Sequence, residues 1–241
     1  KHLPRLFRER KDALINTYKK AKPDNPVGKT IGIPQVSSFY HDLFPMWKAF
    51  FIELGFDVIT SGDTNKDTVY HGVEVITAET CFPIKVAHGH VIDMMEKKFD
   101  YLFLPSVINL THSNTKFTHS YACPYVQCLP YLVKAAIDFK DKNFTVLSPV
   151  IHFEYGEEYV NKTLRELARD IGRTGDIVEK AIQAAHESLR NFNKTLQVRG
   201  KEILDNLGEN EKAFVLISRS YNGCDTGMNL GLPEKLRDLG I

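Results

Sequence analysis

The chain has 241 residues, 43% of them apolar and 25% charged, with 31 Lys and Arg against 30 Asp and Glu. Its length exceeds a usual single domain of roughly 100–150 residues, so one large or two modest domains are expected. The even charge balance argues against a nucleic-acid or anionic-membrane partner, and no run approaches the roughly 18 apolar residues that a membrane-spanning helix needs.

The opening segment is charged throughout and starts at Lys1, without the apolar core of a secretory signal, so the chain reads as cytoplasmic and as a piece of a longer protein. Leu3, Leu6, Phe7, Leu14 and Tyr18 recur at near-helical spacing and predict a linking helix within residues 1–27. "KTIGIPQV" predicts a buried strand. A helix follows, with Phe39, Leu43, Phe44, Trp47, Phe50, Phe51 and Leu54 on one face up to Gly55. "FDVITSG" is the second strand, Ile84, Ala87, His88, Val91, Ile92 and Met95 mark the next helix, and "FDYLFLPSVIN" and "NFTVLSPVIHF" are the third and fourth strands.

This βαβαβ alternation over residues 28–158 predicts a parallel sheet with helices on both faces, whose ligands gather at the carboxyl ends of the strands. Residues 159–210 read as helical. Val160, Leu164, Leu167, Ala168 and Ile171 form one face, and a long helix from Ile177 to Leu207 is N-capped by Asp176 and weakened at Gly200. Residues 211–241 read as a strand in "KAFVLISRSYN", a glycine-bearing loop and the start of a helix, which opens a second α/β domain without completing it.

The four cysteines, Cys81, Cys123, Cys128 and Cys224, are too few for a disulfide scaffold. Cys81 and Cys123 share a setting, "CFP" and "CPY", in turns before helix starts, where unpaired N–H groups favour a thiolate or a metal-bound sulfur. Singly, each of the four is more readily a packed core residue than a chemical one. His88 and His90 invite a zinc reading with Cys81, but Cys-x6-His-x-His matches no familiar zinc pattern; one histidine is expected to pack on the helix and the other to donate to a backbone or cluster-side acceptor. "SYNGCDTGMNLG" could cradle an anion, yet neither a P-loop nor G-x-G-x-x-G occurs.

Taken together, "IGIPQVSSFYHDLFPMWKAFFIELGFDVITSGDTNKD", "ETCFPIKVAHGHV", "DYLFLPSVINL", "CPYVQCLPY" and "SRSYNGCDTGMNLGLPEKLRDLG" resemble a domain of the activase-related proteins of the 2-hydroxyacyl-CoA dehydratase system. That domain is similar to the dehydratase components and double-cubane-cluster proteins. The resemblance implies Rossmann-like α/β domains whose loop cysteines hold a low-potential iron–sulfur cluster, [4Fe-4S] or larger, in anaerobic electron transfer. It puts family ligands on Cys81 and Cys123, and a third in the later domain, with Cys128 and Cys224 as substitutes. His88, Ser106, Asn109, Tyr221 and Asn222 are then expected to line the cofactor pocket. The implied partners are an ATPase activase domain or subunit and an acyl-CoA-type small molecule, with a dimer left open; this chain itself has no ATPase motif. The rival expectation is a non-catalytic scaffold or interaction domain whose cluster site is lost or filled by zinc.

Overall fold

The computed structural model describes residues 3–111, 119–211 and 213–240; residues 112–118 fall outside them, as does Lys212 of the strand expected in 212–222. Helix α1 (Leu6–Asn16) precedes β1 (Thr30–Ile33), α2 (Ser37–His41), α3 (Phe44–Glu53), β2 (Asp57–Thr60), α4 (Lys66–Val75), α5 (Phe82–Met95), β3 (Tyr101–Phe103) and β4 (Ser106–Asn109). There follow α6 (Pro124–Gln127), α7 (Leu129–Ala136), β5 (Thr145–Leu147), β6 (Val150–His152), a single 3-10 turn, α8 (Glu157–Asp170), α9 (Asp176–Asp205), α10 (Ser220–Gly223) and α11 (Leu232–Asp238).

A four-stranded sheet in the order β2-β1-β3-β5 is parallel throughout, so the expected α/β architecture is the observed one. Chain direction across the sheet reverses beside β1, and the loops leaving β1 and β3 border the crevice where such sheets hold ligands. Phe103 on β3 anchors the core: its ring meets Trp47 at 5.1 Å and Phe51 at 5.0 Å, both near edge-to-face. Such pairs add about 0.5–1.5 kcal/mol each beyond area burial.

Prolines split three expected elements. The third and fourth strands are each divided in two, β3 from β4 at Pro105 and β5 from β6 at Pro149. Pairing survives the break, because Leu104 N–H donates to Leu147 O at 2.9 Å and Ser106 N–H to Pro149 O at 2.8 Å. The helix expected from Phe39 to Leu54 is divided into α2 and α3, since Pro45 lacks the N–H that would bond His41 O. Arg10 Nη2 donates to that carbonyl instead, at 2.7 Å. In this way α1, expected as a linker, is bound to the body; Leu14 is buried in the core and Arg199 on α9 pairs with Glu9 at 2.7 Å.

Two further expectations are corrected. Gly175, at φ +79°, occupies the N-cap of α9, and Asp176 is its first helical residue. The strand expected in 212–222 is absent: residues 213–217 form no ladder, Phe214, Val215 and Ile217 are exposed, and Ser220 begins α10. A strand exists only with a paired neighbour, and no described strand lies beside this segment.

Candidate functional site

Helix α2 follows β1 and α4 follows β2, and α5 turns back antiparallel to α4, with Thr68 facing Gly89 and Gly72 facing Lys85. Cys81 is the N-cap of α5 and Cys123 of α6, each followed by proline in the first turn, where a missing N–H costs nothing. Cys81 is exposed and Cys123 half-buried. Cys123 packs against Tyr221, which is buried with Ala122 and Val126. Burial first, then Cys123, and more weakly Cys81 and Asp42, push the Tyr221 phenol above its ordinary range, against Arg219. Tyr221 and Met228 also face Pro83 and Ile84, just after Cys81, across a small cavity.

Cys128 is exposed at the junction of α6 and α7. Cys224, half-buried, shares with Cys123 a cleft of about 450 Å³ bordered by Asp42, Tyr121, Arg219 and Tyr221. Burial raises the Cys224 thiol. Among the described residues no three His, Cys, Asp or Glu side chains gather closely enough to hold a metal ion.

The remaining expected site residues act at one remove from the thiols. His88 is buried, and its Nδ1–H donates to Ile84 O at 2.7 Å within α5. Ser106 is buried on β4, and its hydroxyl donates to Gln127 O, one residue before Cys128. Asn109 Oδ1 accepts from Glu154 N–H at 3.0 Å, and Ala122 N–H donates to Ile108 O at 2.9 Å. Ser106 and Asn109 thus fix the segment that carries Cys123. Asn222 Oδ1 is buried without a hydrogen-bond partner.

A second arrangement beside the thiols was not foreseen. Gln35 N–H donates to Ser61 Oγ at 3.0 Å, Ser61 Oγ lies 2.8 Å from His90 Nδ1, His90 Nε2 lies 2.8 Å from Thr64 Oγ1, and Thr64 Oγ1 donates to Asp225 Oδ2 at 2.6 Å. His41 Nε2 stands 4.0 Å from the same carboxylate oxygen. Burial, reinforced by Arg10 and His90, lowers His41 to about 3. Burial also lowers His90, against the pull of Asp225, Asp93 and Asp63. The "HGH" pair signalled His90, but nothing local to it pointed to His41 or Asp225.

The fold and these helix starts define a class: a parallel α/β protein with two helix-opening cysteines. Within that class, the chain belongs to the family described as the CoA enzyme activase uncharacterised domain (DUF2229), which it matches over residues 30–241. No curated protein and no solved structure matches it. Family membership ties the chain to CoA enzyme activase systems. No helix among the described residues is long and apolar enough to cross a membrane.

Proposed function

We propose that this domain holds an iron–sulfur cluster through Cys81 and Cys123 and takes part in low-potential, ATP-driven electron transfer within its activase system. The observation that carries the reading is that two thiols open separate helices, and that Tyr221, packed against Cys123, also faces Pro83 and Ile84, just after Cys81, across a small cavity. Sulfur donors suit such a cluster, and single cysteines from separate loops serve as ligands as well as a compact run does. The donor chemistry fits as a pair of ligands, while further ligands must come from beyond that pair, with Cys224 and Cys128 the nearest thiols in the fold. When bound, the cluster would supply a one-electron carrier. The protein's own residues position it: Ser106 and Asn109 fix the Cys123 segment, and Tyr221 packs against Cys123.

ATP hydrolysis belongs in this reading to an ATPase activase domain or subunit. The cleft of about 450 Å³ beside Cys123 is of the size that small-molecule sites take, and Arg219 suits it to an anionic, acyl-CoA-type molecule.

The test is iron and acid-labile sulfide content, with a visible spectrum, after reconstitution without oxygen. Stoichiometric iron and sulfide, lost in both Cys81→Ser and Cys123→Ser, supports the proposal. Folded protein that takes up no iron, or zinc in its place, overturns it in favour of a scaffold.

A further inference from the structure

Residues 219–231 are bound more to themselves than to the body they cover. Met228 N–H donates to Asp225 Oδ1, Asn229 Nδ2 to Gly223 O, and Gly231 N–H to Asn229 Oδ1, each at 2.8 Å. These bonds fold the segment into one unit. Its attachments are few: Ser220 Oγ donates to Asp42 Oδ2 at 2.6 Å, and Asp225 Oδ2 accepts from Thr64 at 2.6 Å. Gly227 lies so close to Thr64 that a Cβ there would stand 2.5 Å from Thr64 O. Tyr221 is the one apolar side chain of the segment that is buried.

The flanks leave it free to move. Among the described residues, the backbone of 213–218 makes no hydrogen bond, and α11 on the other side buries none of its residues. Segments with little apolar burial and few anchoring bonds open locally at low free-energy cost. We infer that residues 219–231 form a hinged strap that opens and closes the Cys81–Cys123 site, latched by Ser220 on Asp42 and by Asp225 on Thr64. The strap carries Tyr221, so release of the latch withdraws the ring that lies against Cys123 and uncovers that thiol, beside the already exposed Cys81, for loading or exchange. Cys224 travels with the strap, which makes its distance from Cys123 a consequence of latching.

This inference rests on the proposed function only in naming these thiols as the site, and its test needs no metal. In the metal-free chain, the rate of maleimide labelling at Cys123, read by mass spectrometry, is compared between wild type and Thr64→Val, with amide hydrogen exchange followed in parallel. Loss of a hydroxyl-to-carboxylate bond is expected to raise Cys123 labelling about tenfold and to deprotect amides of 220–229, leaving β1 and β3 unchanged. Ser220→Ala repeats the test at the other latch point, without touching His90. Unchanged labelling in both variants, or deprotection that reaches β1 and β3 equally, overturns the strap. Absence of iron uptake in the reconstitution above would leave this result standing, and the reverse also holds.

Discussion

Thr64 Oγ1 donates its single proton to Asp225 Oδ2 across 161 positions of sequence, and this one bond orders every proton in the buried chain behind it. With its proton committed to Asp225, Thr64 can only accept from His90 Nε2–H. His90 Nδ1 is then unprotonated and accepts from Ser61, whose oxygen in turn accepts from Gln35 N–H. Side-chain chemistry alone thus assigns the tautomer of a buried histidine.

Burial lowers His90, so at pH 7 it is expected to be neutral, and the chain of bonds then puts its proton on Nε2. Long-range proton–nitrogen correlation spectra should show His90 Nδ1 at the shift of an unprotonated nitrogen. In Thr64→Val the Nε2 proton loses its acceptor, and the ring signals should broaden or move. A His90 protonated on Nδ1 in the wild type would contradict the assigned direction of the chain.

Acid should weaken the fold through its buried histidines, against Asp42, whose carboxyl is raised by burial. His41 is lowered to about 3 by burial, so below its ordinary value near 6.5 the unfolded chain binds a proton that the native state refuses. Stability is full above that value and falls with pH down to the native value, by about 1.4 kcal/mol per pH unit for one such histidine. His90, also lowered, adds in the same direction; His71, raised by its hydrogen bond to Asp93, opposes them. Urea midpoints at pH 7 and pH 5 should fall accordingly, and a flat profile would mean that His41 is protonated in the folded state.

Apolar periodicity made the sheet and most of the helices legible: the face predicted from Val160 to Ile171 is buried in α8, and Ile84, Ala87 and Val91 are buried in α5. Periodicity sees apolar continuity and is blind to missing donors, so "FDYLFLPSVIN" read as one strand although Pro105 divides it. Residues 213–217 have the composition of a strand, but composition does not supply the neighbouring edge that a strand needs. Cys81 and Cys123 were readable because the proline after each marks a helix start. The Thr64–Asp225 bond was not, since both residues look like ordinary loop polars and only the folded chain brings them together.

The crossing of α4 and α5 sets the position of Cys81 and should tolerate no side chain. A Cβ on Gly89 would lie 1.7 Å from Thr68 O, and one on Gly72 would lie 1.9 Å from Lys85 O, both backbone atoms of the facing helix. Gly72→Ala or Gly89→Ala must force the helices apart, at a cost of about 3 kcal/mol or more. Thermal unfolding should detect it as a large fall in Tm, whereas an unaltered Tm would show that the helices do not approach this closely.

Gly200 offers the opposite case, and the two together separate glycine as a packing requirement from glycine as a weakness. It lies within the 30-residue helix α9, with nothing within 4 Å of where a Cβ would stand. Its backbone is helical, so alanine adds no strain, and it removes conformational freedom from the unfolded chain. Gly200→Ala should stabilise the protein by about 1 kcal/mol, read as a higher urea midpoint with an unchanged slope. Destabilisation would mean that the helix is interrupted near Gly200; a changed slope would mean that the substitution alters how much surface unfolding exposes. Neither outcome would move the thiol site, because Gly200 lies in α9, whose principal packing is against α3 rather than against the cysteine segments.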